Sequence, residues 1–137
     1  MTPLNILIVE DDDVDMMSVE RAFKDLNLCN PLTRATDGQE AWDRLVTSED
    51  SIGEDSPDII LLDLNMPRMG GAEFLKKLSD RDIRLESEIF VLTTSDSDQD
   101  IINAHKYPIS GYLLKSDLVD GLREAIGELN KKWMLVK

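Results

Sequence analysis

Five short runs rich in aliphatic and β-branched residues recur along this chain, and between them the apolar residues switch to helical spacing. The runs are LNILIV (4–9), PLTRAT (31–36), DIILLD (58–63), EIFVLTT (88–94) and GYLLK (111–115). Runs of this length between turn signals read as strands, several of them apolar on both faces. The intervening segments carry Met16, Val19, Phe23 and Leu26; Ala41, Trp42 and Leu45; Phe74, Leu75 and Leu78; and Ile101, Ile102 and His105. Each set is spaced for one face of a helix. After the fifth run, Leu118, Leu122, Ala125, Ile126, Leu129 and Trp133 mark a long amphipathic helix. Strict alternation with doubly buried strands predicts an α/β fold: a doubly wound, five-stranded parallel sheet with helices on both faces.

At 137 residues and 42% hydrophobic content, the chain suits one domain spanning 1–137 with a sizeable core. The polar segment TSEDSIGEDSPD (47–58) predicts an exposed acidic loop before the third strand. A formal net charge of -13 argues against direct nucleic-acid binding and points to cations or basic protein surfaces. No apolar stretch approaches the roughly 20 residues of a membrane span and no signal peptide opens the chain, so a cytoplasmic location away from membranes is expected. The lone Cys29 can form neither an internal disulfide nor a cysteine metal site, and beside Asn30 and Pro31 it reads as a bystander. Neither G-x-G-x-x-G nor the G-x-x-x-x-G-K-[ST] loop is present, which removes the main support for a nucleotide-binding sheet.

In an open parallel sheet, ligands bind outside the carboxyl ends of the strands. Strand one ends in Glu10 and Asp11, strand three in Asp63, strand four in Thr93 followed by Thr94 and Ser95, and strand five in Lys115. Asp11, Asp13 and Asp15 alternate as in a calcium-binding EF-hand loop, but Met16 stands where that loop needs Gly and Ala22 where it needs Glu. Asp12, Asp13 and Asp15 therefore read as helix-start acids, each favoured by the helix dipole by roughly 0.3–1 kcal/mol. Glu10, Asp11 and Asp63 remain as hard oxygen donors suited to Mg2+. Beside such a cation, a carboxylate can act as a nucleophile toward phosphorus, with Lys115 offsetting phosphoryl charge and Thr93 hydrogen-bonding a phosphoryl oxygen.

The ordered set V-E-D, D-L-N-M-P, V-L-T-T-S and G-Y-L-L-K spans nearly the whole chain and resembles the receiver domain of two-component response regulators. The resemblance implies a flavodoxin-like strand order of 2-1-3-4-5 and a phosphorylation switch. Asp63 would accept a phosphoryl group from the phosphohistidine of a sensor histidine kinase or a histidine phosphotransfer protein. Glu10 and Asp11 would bind magnesium, with Asp63 and the backbone carbonyl of Asn65 completing the protein ligands. Thr93 would be the switch hydroxyl, Tyr112 the aromatic that rotates behind it, and Lys115 the counter-charge. Asn65 and Ser95 occupy the positions that tune autodephosphorylation, and their chemistry predicts a phosphoryl lifetime set by a partner.

The long loop before strand three, the V-L-T-T-S run and the Lys115-Ser116 pair resemble single-domain receivers associated with bacterial phytochrome kinases, some of which form homodimers. No output domain is expected after the final helix, so the signal would pass to a downstream protein target. The face bearing Tyr107, Tyr112, Trp133 and Met134 is expected to serve as a docking or dimer surface. Two positions depart from the family: Ser116 replaces the usual Pro, and Gly70-Gly71 replaces Asp-Gly, which is expected to loosen that turn. Two other readings compete. A non-phosphorylated scaffold would keep the fold without the chemistry, and a phosphatase of the haloacid dehalogenase type would need an acid where Asn65 stands.

Overall fold

The computed structural model describes residues 4–49, 52–53, 56–64, 66, 69–94 and 107–128, with side chains to 125. Five strands form one parallel sheet: β1 (Ile6–Val9), β2 (Leu32–Ala35), β3 (Ile59–Asp63), β4 (Glu88–Thr93) and β5 (Gly111–Leu114). Their order is β2-β1-β3-β4-β5, as the resemblance implied. The helices α1 (Asp13–Asp25), α2 (Gly38–Leu45), α3 (Gly71–Asp80) and α4 (Leu118–Glu128) fill the connections among the described residues, and a short 3-10 turn at Lys115–Asp117 leads into α4. Each strand lies inside its apolar run, trimmed by at most two residues at an end. The helical set at Ile101, Ile102 and His105, and the final positions Leu129, Trp133 and Met134, lie outside the described residues.

Alternation along the strands divides the core in two. Ile6, Ile8, Ile59, Leu61, Phe90, Leu92 and Leu113 meet Met16, Val19, Phe23, Leu118 and Leu122 on the α1 and α4 face. Leu7, Val9, Ile60, Leu62, Ile89 and Val91 meet Trp42, Leu45, Phe74, Leu75 and Leu78 on the α2 and α3 face. Trp42 packs edge-on against Phe74 at 6.2 Å between centroids, which fits its expected packing role.

Local chemistry starts the helices. Asp12 caps α1, its Oδ1 accepting the N–H groups of Val14 at 2.7 Å and Asp15 at 3.2 Å. Asp37 caps α2 by accepting the Glu40 N–H at 2.8 Å. Gly70 and Gly71 enter α3 under steric pressure: a Cβ on Gly71 would stand against the Asp63 carbonyl oxygen, and one on Gly70 against that of Leu64. The glycine pair therefore meets a packing demand at the end of β3, where the sequence suggested a loosened turn.

Within the segment 47–58, Thr47 to Glu49 are exposed, whereas Ile52, Gly53, Ser56 and Pro57 are partly buried. An isolated antiparallel bridge joins Val46 to Ile52, and the Gly53 N–H donates to the Leu45 carbonyl at 2.8 Å. The acidic stretch is thus pinned near its middle. No helix among the described residues is long and apolar enough to cross a membrane.

Candidate functional site

The carboxyl ends of β1, β3, β4 and β5 bring Glu10, Asp11, Asp63, Thr93 and Lys115 to one edge of the sheet. Glu10 extends the β1–β2 ladder by donating its N–H to the Ala35 carbonyl at 2.9 Å. Its side chain is fully buried, while Asp11 next to it is exposed. Asp63 closes β3, shares the parity of Ile59 and Leu61, and is buried at the α1 and α4 side of the sheet. Carboxylate oxygens of Glu10, Asp11 and Asp63 lie within 4.8 Å of one another, a spacing that can hold a metal ion.

Lys115 Nζ lies 3.1 Å from Glu10 Oε1, 3.1 Å from Asp63 Oδ2 and 2.7 Å from Asp15 Oδ2. The side chain is only 18% exposed. Burial alone would lower the pKa of its ammonium, but the hydrogen bond to Asp15 and the charges of Asp63 and Glu10 outweigh it and raise the pKa. Glu10 responds oppositely: burial, then hydrogen bonding and charge from Asp63, push its carboxyl up to about 9 against the pull of Lys115. Asp15 is held below the ordinary carboxylate range, chiefly by its hydrogen bond to Lys115. Such crowding of acids is what a divalent cation relieves, and three hard oxygen donors fit a magnesium-like ion.

Arg34 on β2 secures the loop between β1 and α1, its Nε donating to the Glu10 carbonyl at 2.8 Å and its guanidinium pairing with Asp13 at 2.8 Å. Asp12 and Asp13 thus keep the structural roles read from the sequence. Asp15 also keeps its place in the first turn of α1, but in addition it contacts the site lysine. The sequence held a signal for this: Asp15 precedes Val19 by four residues and so tops the apolar stripe of α1 that faces the sheet. Arg34 carried no comparable signal.

Thr93 is buried at the end of β4, beside β3, and Tyr112 is partly buried on β5 against the α2 and α3 cluster. Tyr107 requires a correction to the expected docking surface. It is buried in the core, its hydroxyl donating to the Ile83 carbonyl and accepting the Leu85 N–H, each at 3.1 Å. Its contacts lie inward because the polypeptide between α3 and β4 supplies both hydrogen-bond partners. Asn65, Ser95, Trp133 and Met134 lie outside the described residues.

A family model described as the response regulator receiver domain matches residues 6–127. The methanogenesis regulatory protein FilR2 of Methanothrix harundinacea, described as probable, is 34% identical over 96% of this chain and 84% of its own length. The structure of the bacteriophytochrome response regulator AtBRR is similar over 100% of this chain and 99% of that one, with 30% identity and a TM-score of 0.78. The Mn(2+)-bound form of Rcp1, a response regulator of Synechocystis sp., is similar over 98% of this chain and 100% of that one, with 29% identity and a TM-score of 0.70.

Proposed function

The chain belongs to the response regulator receiver domain family, and from that premise we propose that it is a phosphorylation switch with Asp63 as phosphoacceptor. The observation that carries this reading is the buried Asp63 carboxylate, 3.1 Å from the Lys115 ammonium and grouped with the oxygens of Glu10 and Asp11. One Asp63 oxygen attacks the phosphorus of a phosphohistidine as the nitrogen–phosphorus bond breaks, leaving an acyl phosphate and a free histidine. Lys115 offsets charge on the phosphoryl oxygens, and the Thr93 hydroxyl donates to one of them. Glu10, Asp11 and Asp63 would hold Mg2+, which when bound supplies positive charge to the transferring group.

Phosphorylation replaces the single charge of the Asp63 carboxylate with a phosphoryl group carrying about −1.5 to −2 and three acceptor oxygens, which biases a two-state equilibrium through Thr93 and Tyr112. The phosphodonor is a histidine kinase, of the phytochrome type by likeness to AtBRR, and the output passes through protein contacts. Val14 and Met17, 70% and 56% exposed and three residues apart on α1, offer an apolar surface next to the site for the donor. The whole chain acts as one domain in this reading, since each core cluster draws on residues from several strands of the single sheet.

Incubation with magnesium and acetyl phosphate, read by intact mass, tests the reading. A phosphate-sized, hydroxylamine-sensitive gain that disappears in Asp63→Ala is expected. A wild-type chain that gains no mass under these conditions would leave a protein-binding scaffold in its place.

A further inference from the structure

We propose that Asp15 is a positioning residue for phosphoryl transfer, anchoring the Lys115 ammonium over Asp63 from the first turn of α1; this rests on the reading of Asp63 as phosphoacceptor. An ammonium has three N–H groups, and Lys115 directs them among three carboxylates, of which Asp15 is nearest at 2.7 Å. Lys115 arises beyond β5, and β4 separates that strand from β3. Its flexible stem must therefore cross the end of β4 to reach the acceptor, and a lysine stem has many rotamers. Asp15 limits them from the far side.

The anchor is itself fixed. Asp12 accepts the Asp15 N–H, and Met16 in the same turn and Val19 in the next seat this end of α1 in the core. The Asp15 contact coexists with the contact from Lys115 to Asp63, so it does not draw the cation away from the acceptor. When the acceptor carries a phosphoryl group, new oxygens appear on the Asp63 side of the ammonium, and the Asp15 side stays anchored. What matters is an oxygen at the Asp15 position more than a negative charge there. Asparagine, the same shape with an accepting carbonyl oxygen, keeps the anchor, whereas alanine and leucine remove it.

The test follows the rate of adduct formation with acetyl phosphate and magnesium by intact mass, with folding checked by thermal unfolding. Asp15→Ala and Asp15→Leu are expected to react about three- to tenfold more slowly than wild type, and Asp15→Asn within about twofold of it. In a Lys115→Ala background, Asp15→Ala should cause no further loss, because its effect runs through the lysine. The proposal is overturned if Asp15→Ala reacts as fast as wild type or faster, if Asp15→Asn is as slow as Asp15→Ala, or if the loss persists without Lys115. A wild-type chain that forms no adduct defeats the reading of Asp63 instead, and that result is distinct from an active wild type with indifferent Asp15 variants.

Discussion

Lys115 Nζ stands 3.1 Å from Glu10 Oε1 although their strands, β5 and β1, have β3 and β4 between them. The lysine spans the carboxyl end of the sheet and joins elements from opposite halves of the chain. That reach partly offsets the burial and the neighbouring Asp63 that together raise the pKa of the fully buried Glu10. It also gathers one ammonium and three carboxylates in a small, largely buried space, which makes stability depend on pH.

Burial and Asp63 raise the Glu10 carboxyl from an ordinary value of 4.5 to about 9. A group raised on folding contributes stability that is complete below its unfolded pKa and lost as pH climbs through the folded one. Metal-free protein should therefore lose stability as pH rises from about 4.5 toward about 9. Asp15 and Glu40 are shifted the opposite way, so their contributions fade only at more acid pH. Denaturant midpoints in chelator at pH 5, 7 and 9 should fall in that order, and Glu10→Gln should flatten the slope. Added magnesium should stabilise most at the highest pH, where the carboxylates are free to bind it.

Gly71→Ala should destabilise the fold by about 1–3 kcal/mol, because the new methyl meets the Asp63 backbone carbonyl and neither side can move freely. The same displacement shifts the acceptor, so adduct formation should slow more than in a surface control such as Lys76→Ala. Urea unfolding and the mass assay check the two parts separately.

Asp12→Ala should cost about 1 kcal/mol by removing the oxygen that caps α1. Asp12→Asn retains a capping oxygen and should stay within a few tenths of wild type. Equal midpoints for all three proteins would rule out a stabilising cap at this position.

Tyr107→Phe removes both hydrogen bonds that tie the Ile83 and Leu85 backbone to the core, at a cost of about 1–3 kcal/mol. Burial holds the Tyr107 phenol above its ordinary value of 10.0. Its stabilising contribution is therefore complete below that value and lost as pH rises beyond it, a loss that the Phe variant lacks. Thermal unfolding at pH 8 to 11 distinguishes the two slopes.

Much of the architecture was readable from local pattern. The short, doubly apolar run DIILLD between turn signals reads as an interior strand, and the spacing of Met16, Val19 and Phe23 reads as one face of a helix, because that spacing follows from backbone geometry. The parallel sheet then put Glu10, Asp63, Thr93 and Lys115 at one edge, since all four end strands that run the same way. The inward turn of Tyr107 and the lysine contact of Asp15 were not legible, for a shared reason. A tyrosine after a helical segment looks the same whether it faces solvent or core, and a first-turn aspartate looks the same whether it meets water or a lysine.

The sequence by itself determined the order and type of the elements and the set of polar residues at the strand ends, because each depends on neighbours a few positions away. The tertiary structure decided which of the acids Lys115 reaches, that the two glycines are demanded by the end of β3, and that Tyr107 turns inward. Those outcomes rest on contacts between residues far apart in the chain, whose distances are set only when the sheet has twisted and both helical layers have closed over it.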